Sequence, residues 1–328
     1  MLGLEQDRKI KFTILVMTYN SDLYKLYLTL QSVFLQKFDG IQIVITDDGS
    51  KENHFKEIEE YFYKNHFKEY KLVGNKENKG TVQNLISGLK HVDGKYVKFI
   101  SAGDTLFSES TVKRVYQYME HIHSSVCFGL LQGYNGSKTE IKYIPFQHPF
   151  DIEVYRKKND KKILRNLVLY SDNVCGAAIC YRTDCAKNYM KKISKQVVYE
   201  EDIFQVLAAA EGTTLDLYDD YMIWYEVGTG VSTGKQSKFQ EALKKDTENF
   251  YKKLYDLYPA NKYIAKRFRL MKYYKINNLY LRTLLRIVEN PHLVVYLMNS
   301  FLQRIRGAHK RKSIEKGFLA EKEFWRKV

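Results

Sequence analysis

Between residues 10 and 104 the chain repeats one pattern four times: a short apolar run, a turn of small and acidic residues, then a segment with helical spacing. Ile10 to Met17 ends at Thr18-Tyr19-Asn20-Ser21-Asp22, after which Leu23, Leu26, Tyr27, Leu30, Val33 and Phe34 fall on one helical face. Ile41 to Ile45 ends at Thr46-Asp47-Asp48-Gly49-Ser50, before a helix over 51–65. A short strand over 70–73 precedes a helix carrying Val82, Leu85, Ile86 and Leu89 on one face. The fourth run, Val97 to Ile100, stops at Ser101-Ala102-Gly103-Asp104. Strands that alternate with amphipathic helices predict an α/β fold: a mostly parallel sheet with helices on both faces. Ligands of such sheets bind outside the carboxyl ends of the strands. The ends of strands 1, 2 and 4 therefore converge on one crevice with Thr18, Tyr19, Asn20, Asp47, Asp48 and Asp104.

That set suits a nucleotide. A carboxylate accepts hydrogen bonds from a base N–H or from ribose hydroxyls, and a further acid can hold a divalent cation against a diphosphate. Each piece also has a local reading: Asp47-Asp48-Gly49-Ser50 can form a turn, and Asp104 can cap a helix from Ser108 onward.

Together, Thr-Tyr-Asn after strand 1, Asp-Asp-Gly-Ser after strand 2, Asn78-Lys79-Gly80 through Asn84, and the Ser-Ala-Gly-Asp loop resemble the donor half of family 2 glycosyltransferases with the GT-A (Rossmann-like) fold. The resemblance covers residues 1–110. It implies that Asp48 meets the uracil of a UDP-sugar, with Asp47 and Thr18 in the same pocket and Asn84 near the base. Lys79 and Gly80 match the basic and small positions of the family's Asn-x-Gly segment. Ser101, Ala102 and Gly103 occupy the family's Asp-x-Asp position, where only Asp104 keeps a carboxylate. A Mn²⁺ or Mg²⁺ ion held by Asp104, the diphosphate and water is one expectation. A metal-independent site is the other.

Further along, Asn173-Val-Cys-Gly176-Ala177-Ala178 reads as a small-residue turn entering a strand, which permits close backbone approach to a ligand. By resemblance, Gly176 and Ala177 lie beside the donor sugar. Glu201-Asp202, followed by Ile203, Val206 and Leu207, fits an acidic helix start. It also resembles the family's Glu-Asp motif, whose Asp is the general base of an inverting transfer, with Glu201 orienting it. Strands are expected over 214–218 and 221–226. The loop that follows, with Gly230, Ser232 and Thr233, resembles the family's flexible segment over the diphosphate. Cys175 reads as a packing residue. The Gln-x-x-Arg-Trp motif of processive relatives does not follow the Glu-Asp segment, so addition of one or a few sugars is expected.

Charge divides the chain unevenly. The formal net charge is +15, and residues 261–328 hold 17 Lys plus Arg against 4 Glu, a difference of +13. The expected organisation is a catalytic domain over 1–235, with a donor half over 1–110 and an acceptor half over 111–235, then a helical, basic region over 236–328. Leu293-Val-Val-Tyr-Leu-Met-Asn-Ser-Phe-Leu is too short to span a bilayer but can lie on an anionic leaflet between Arg282/Arg286 and Arg304/Arg306. A helical lid with solvated charges is the other reading. No nucleic-acid module accompanies the charge, so no nucleic-acid partner is expected. The first residues are too polar for a signal peptide and the four cysteines form no Cys-x-x-Cys pair, which suits a reducing cytoplasm. The expected protein is a glycosyltransferase on the inner face of the cell membrane. It would transfer sugar from a UDP-sugar to a saccharide acceptor, by resemblance a lipid-linked one in surface polysaccharide synthesis. A catalytically idle nucleotide-sugar-binding protein is the alternative.

Overall fold

The computed structural model describes residues 9–136, 140–145, 148–228, 237–310 and 316–328. It opens with β1 (Phe12–Thr18), α1 (Leu23–Phe34), β2 (Ile41–Asp47), α2 (Phe55–Lys64), β3 (Tyr70–Gly74), α3 (Thr81–Leu89) and β4 (Tyr96–Ser101). The apolar runs of β1 and β2 are buried on both faces because helices cover the sheet on each side. Asp22 starts α1 by accepting a hydrogen bond from the Lys25 backbone N–H at 2.9 Å.

The chain continues through β5 (Thr105–Leu106), α4 (Thr111–Ile122), β6 (Val126–Gly136), β7 (Ile141–Ile144), α5 (Glu153–Arg156), α6 (Asp160–Tyr170), β8 (Ile179–Arg182), α7 (Thr183–Ile193), α8 (Phe204–Ala210) and β9 (Asp216–Glu226). The sheet order is β3-β2-β1-β4-β8-β6-β9-β5, with β7 on β6. β1 to β4 pair in parallel, and β6 and β9 run the same way; β5, β7 and β8 oppose them. This is the expected α/β architecture. Where the sequence suggests two strands over 214–226, β9 is one strand, and two register shifts along β6 absorb the irregularity. Asp104 caps no helix, since α4 begins at Thr111 after Ser110.

The remaining helices are α9 (Ser237–Leu257), α10 (Lys262–Leu270), α11 (Leu279–Glu289), α12 (His292–Ile305) and α13 (Lys322–Arg326). Phe250, Tyr251 and Leu254 of α9 and Ile264 of α10 share one hydrophobic cluster with α3, α6, α7 and α8. On the opposite face of the sheet a second cluster packs α1, α2 and α4. Phe318, Leu319, Phe324 and Trp325 fold back onto Phe107 and Trp224 at the β5–β9 edge. The basic region is thus built into the core at both ends, while α11 and α12 stand on the outside.

Candidate active site

The carboxyl ends of β1, β2 and β4 open on a cavity of about 420 Å³ that also takes in residues 199–202 and the end of β9. Of the residues expected from sequence, Thr18, Tyr19, Asn20, Asp48, Asn84, Ser101, Ala102, Asp104, Glu201 and Asp202 line it. A neighbouring cavity of about 40 Å³ shares Ser101, Asp104 and Asp202 and is lined further by Gly176 and Ala177. Gly230, Ser232 and Thr233 lie outside the described residues.

Four expected residues stand behind the wall. The Asp47 carboxylate accepts from Thr18 Oγ1 (3.0 Å), the Ser50 N–H (2.8 Å) and Ser50 Oγ (2.5 Å), so it fastens the β1 and β2 ends together. Lys79 and Gly80 act through their backbone: both N–H groups donate to the Asp48 carboxylate at 2.9 Å. Asn75 Nδ2 also donates to Asp48 at 3.3 Å and to Asn84 Oδ1 at 3.1 Å. Burial raises the Asp48 pKa, and the two backbone N–H donors offset part of that rise. Gly80 has φ +84°, and a Cβ there would stand 2.3 Å from Val198. Glycine is therefore required where this loop meets the 198–202 segment.

Gly103 is the fourth. Its φ is +103°, and a Cβ at this position would lie 2.3 Å from Glu226 Oε2. The space that a side chain at position 103 would take is thus filled by the Glu226 carboxylate from the end of β9. Glu226 is buried and its N–H donates to Asp104 Oδ1 at 2.9 Å, while its Oε1 pairs with Lys25 Nζ at 2.6 Å. Burial pushes the Asp104 pKa up to about 7, the Glu226 backbone N–H and the Lys98 ammonium pull it down, and the Glu226 charge raises it. Lys98 is itself buried and donates to the Ala177 carbonyl; burial lowers its pKa. The loop is held from behind by Thr29, whose Oγ1 donates to the Asp104 carbonyl (2.7 Å) and accepts the Gly103 N–H (3.0 Å).

Asp202 sits in a turn of 3₁₀ helix over Glu201–Ile203 that leads into α8. Its Oδ2 accepts the Gly176 N–H at 3.0 Å, and its Oδ1 is buried without a hydrogen-bond partner. A Cβ on Gly176 would come within 2.2 Å of that Oδ1, so only glycine allows the contact. Burial and then the Glu200 charge push the Asp202 pKa up to about 7. Burial, with the Asp202 and Glu200 charges, also raises the Glu201 pKa. Asp246 of α9 fixes this segment by accepting the N–H groups of Val198 (2.9 Å), Tyr199 (2.7 Å) and Glu200 (3.2 Å).

Sequence reasoning missed Lys25, Glu226 and Asp246. Glu226 ends an apolar strand as Asp104 nearly does, so the same strand-end rule finds it. Lys25 and Asp246 read as solvated helix residues, and no local pattern distinguishes them.

A divalent cation on a diphosphate takes one or two protein carboxylates and fills its shell with phosphate oxygens and water. Asp104 and Glu226 meet that requirement as an adjacent pair, with Lys25 now neutralising Glu226. Among the described residues no group of three or more His, Cys, Asp or Glu is arranged to hold a metal. The pair therefore fits a cation that arrives with a phosphate-bearing ligand.

The model for glycosyl transferase family 2 matches residues 13–187. The chain is 31% identical over 129 residues to the poly(ribitol-phosphate) beta-N-acetylglucosaminyltransferase TarS of Staphylococcus aureus, a match covering 39% of this chain and 22% of that protein. The chain thus spans about a fifth of that relative's length. The crystal structure of S. aureus TarS 1-349 with UDP superposes with a TM-score of 0.50 at 19% identity, over 82% of this chain and 67% of the other. The same fragment with UDP-GlcNAc gives 0.50 at 18%, over 73% and 66%. These likenesses identify the sheet as the GT-A fold.

Proposed function

The chain belongs to glycosyl transferase family 2, and from that premise we propose that it transfers a sugar from a UDP-sugar to a saccharide acceptor with inversion at C1. The observation that carries this reading is the buried, unpaired Oδ1 of Asp202 beside a cavity lined by the ends of β1, β2 and β4. Asp48 and Asn84 recognise the base, Thr18 and Asn20 line its pocket, and the Ser101–Asp104 loop faces the diphosphate. N-Acetylglucosamine is the first donor sugar to test, because the TarS structure was obtained with UDP-GlcNAc.

In the reaction, Asp202 takes the proton of the acceptor hydroxyl as that oxygen bonds to C1. The bond from C1 to the diphosphate oxygen breaks, and UDP leaves with the electron pair. The Gly176 N–H holds Asp202 in place, and Glu201 precedes it in the same turn of 3₁₀ helix. Asp104 and Glu226 would hold Mg²⁺ or Mn²⁺, whose chemistry there is to neutralise charge on the leaving diphosphate. Lys25, paired with Glu226 at the cavity wall, is released toward the phosphates when that pair opens.

The acceptor is a lipid-linked saccharide of a cell-surface glycan, reached from the cytoplasmic membrane face. Support comes from α11 and α12, which expose Leu284, Val288, Met298, Phe301 and Ile305, with Arg304 and Arg306 exposed at the end of α12. No helix among the described residues is long and apolar enough to cross a membrane. Such a face suits a peripheral contact with anionic lipid.

UDP release from candidate UDP-sugars with Mn²⁺, comparing wild type with Asp202→Asn, tests the reading. Turnover by wild type and a loss of about 10²–10⁴-fold in the variant are expected. UDP binding without hydrolysis or transfer for any donor would make the chain a nucleotide-sugar-binding module instead.

A further inference from the structure

A second cavity, of about 530 Å³, lies between α6, α9, α10 and α11 and meets the first at Glu200, which lines both. Arg267 forms part of its wall and is only 3% exposed. A buried guanidinium normally sits against a carboxylate. Here no carboxylate among the described residues forms an ion pair with it. Its polar contact is Nη2 to Ser171 Oγ at 3.2 Å, and its Nε is buried without an acceptor. Two rings flank it instead: its guanidinium carbon is 4.6 Å from the centroid of Tyr251 and 5.1 Å from that of Tyr274. Ring faces attract a cation but are no counter-ion.

Two more arginines face the same space. Arg286 lies 5.7 Å from the Tyr274 centroid, and Arg282 stands one turn earlier on α11. Neither forms an ion pair with a described residue. The opposing charges in the wall are Glu200 and Glu248, against Arg267, Arg282, Arg286 and Lys244, so the cavity has a cationic excess. Burial and the Asp246 charge favour the neutral form of Glu200, which enlarges that excess.

We propose that this cavity binds a phosphate group of the acceptor, with Arg267, Arg282 and Arg286 as its counter-charges and Tyr251 and Tyr274 as walls for the adjoining carbon chain or ring. This rests on the transferase reading and deepens it. The acceptor hydroxyl reaches Asp202 from the Glu200 side, and the acceptor's phosphate anchors it on the far side of Glu200. Guanidinium groups suit the role because their planar N–H forks match phosphate oxygens. Two acceptor chemistries present such a group: a soluble polymer or sugar carrying a phosphate ester, and a saccharide on a polyprenyl phosphate.

The test uses the full chain with the donor cavity first saturated by UDP, followed calorimetrically. One arm titrates glycerol 3-phosphate; the other titrates phosphatidylcholine vesicles with and without polyprenyl phosphate. Saturable binding at one site per chain is expected in at least one arm, weakened tenfold or more by R282Q/R286Q. Binding of glycerol 3-phosphate assigns a soluble phosphate ester. Response to polyprenyl phosphate alone, lost also in R267Q, assigns the lipid-linked form and separates the cavity from the outer face of α11. Should R267Q fail to fold, vesicles with phosphatidylglycerol in place of polyprenyl phosphate make the separation: an equal response to both lipids places the binding on the outer face of α11 and overturns the cavity. No saturable binding in either arm, or equal affinity in wild type and R282Q/R286Q, overturns the proposal. The preliminary UDP titration keeps the readings apart: absence of UDP binding sinks the donor site, whereas phosphate binding is read independently of it.

Discussion

At the scale of single residues the site is governed by where carboxylates are allowed to lie without water. Asp202 is the clearest case, with one oxygen on the Gly176 N–H and the other unpaired. A carboxyl whose folded pKa is raised binds its proton more tightly folded than unfolded. The stability it contributes is complete below the unfolded value near 4 and is lost as pH rises through about 7. Asp202→Asn keeps an acceptor for the Gly176 N–H and removes the charge. We expect it to raise stability by about 1–3 kcal/mol at pH 8 and to give no gain at pH 4, measured by urea unfolding at both values. Transfer by the wild type should rise with pH through about 7 as the base deprotonates, and the variant should show no such limb. Equal urea midpoints for the two proteins at pH 8 would mean the carboxylate is not strained by burial. The residue proposed as the base then weakens the fold at the pH where it would work.

Among the elements, the strands were legible and their anchors were not. β1, β2 and β4 are read from mainly apolar runs, interrupted by Thr13, Gln42 and Lys98, that end in small or acidic residues, and those ends converge as the strand-end rule requires. Asp47 illustrates what the rule leaves open: it marks a strand end, yet all its bonds go inward to Thr18 and Ser50. Asp246 illustrates the opposite. It occupies an amphipathic helix full of charges, and its partners are backbone N–H groups 46 to 48 residues away, which no periodicity encodes. Glu226 and Gly103 form a third kind, in which a side chain absent at one position is supplied by another element. Because Asp246 satisfies three N–H groups at once, Asp246→Ala should cost about 2–4 kcal/mol in urea unfolding. Asp246→Asn, with one carbonyl oxygen left, should cost less. If the segment is placed by Asp246, the alanine variant should also lower kcat more than it raises KM for the donor. A loss confined to stability would reduce Asp246 to a core residue.

For the whole molecule, charge and apolar surface coincide. Residues 261–328 carry +13 of the net +15, and α11 and α12, in the middle of that stretch, expose a run of large apolar side chains. Solvent disfavours such a face, and among the described residues the flanking segments are engaged elsewhere: α9 and α10 in the main core, and Phe318 to Trp325 at the β5–β9 edge. A partner that is apolar within and anionic outside satisfies both properties together, and an anionic leaflet is the partner proposed above. Each Lys or Arg near its surface contributes about 1 kcal/mol, an attraction that fades beyond about 10 Å at 0.1 M salt. The chain should therefore sediment with phosphatidylglycerol vesicles at low salt and largely remain in the supernatant at about 1 M, where screening is nearly complete. Leu284→Ser with Phe301→Ser should weaken sedimentation at low salt about tenfold or more, since each apolar side chain that stays in water forfeits about 1.5–3 kcal/mol. Sedimentation unchanged by the double variant would assign the attraction to charge alone. α11 contributes Arg282 and Arg286 to the second cavity and Leu284 and Val288 to the outer face. One helix thus brings the exposed apolar face and the second cavity within a turn of each other, and the first cavity opens beyond Glu200.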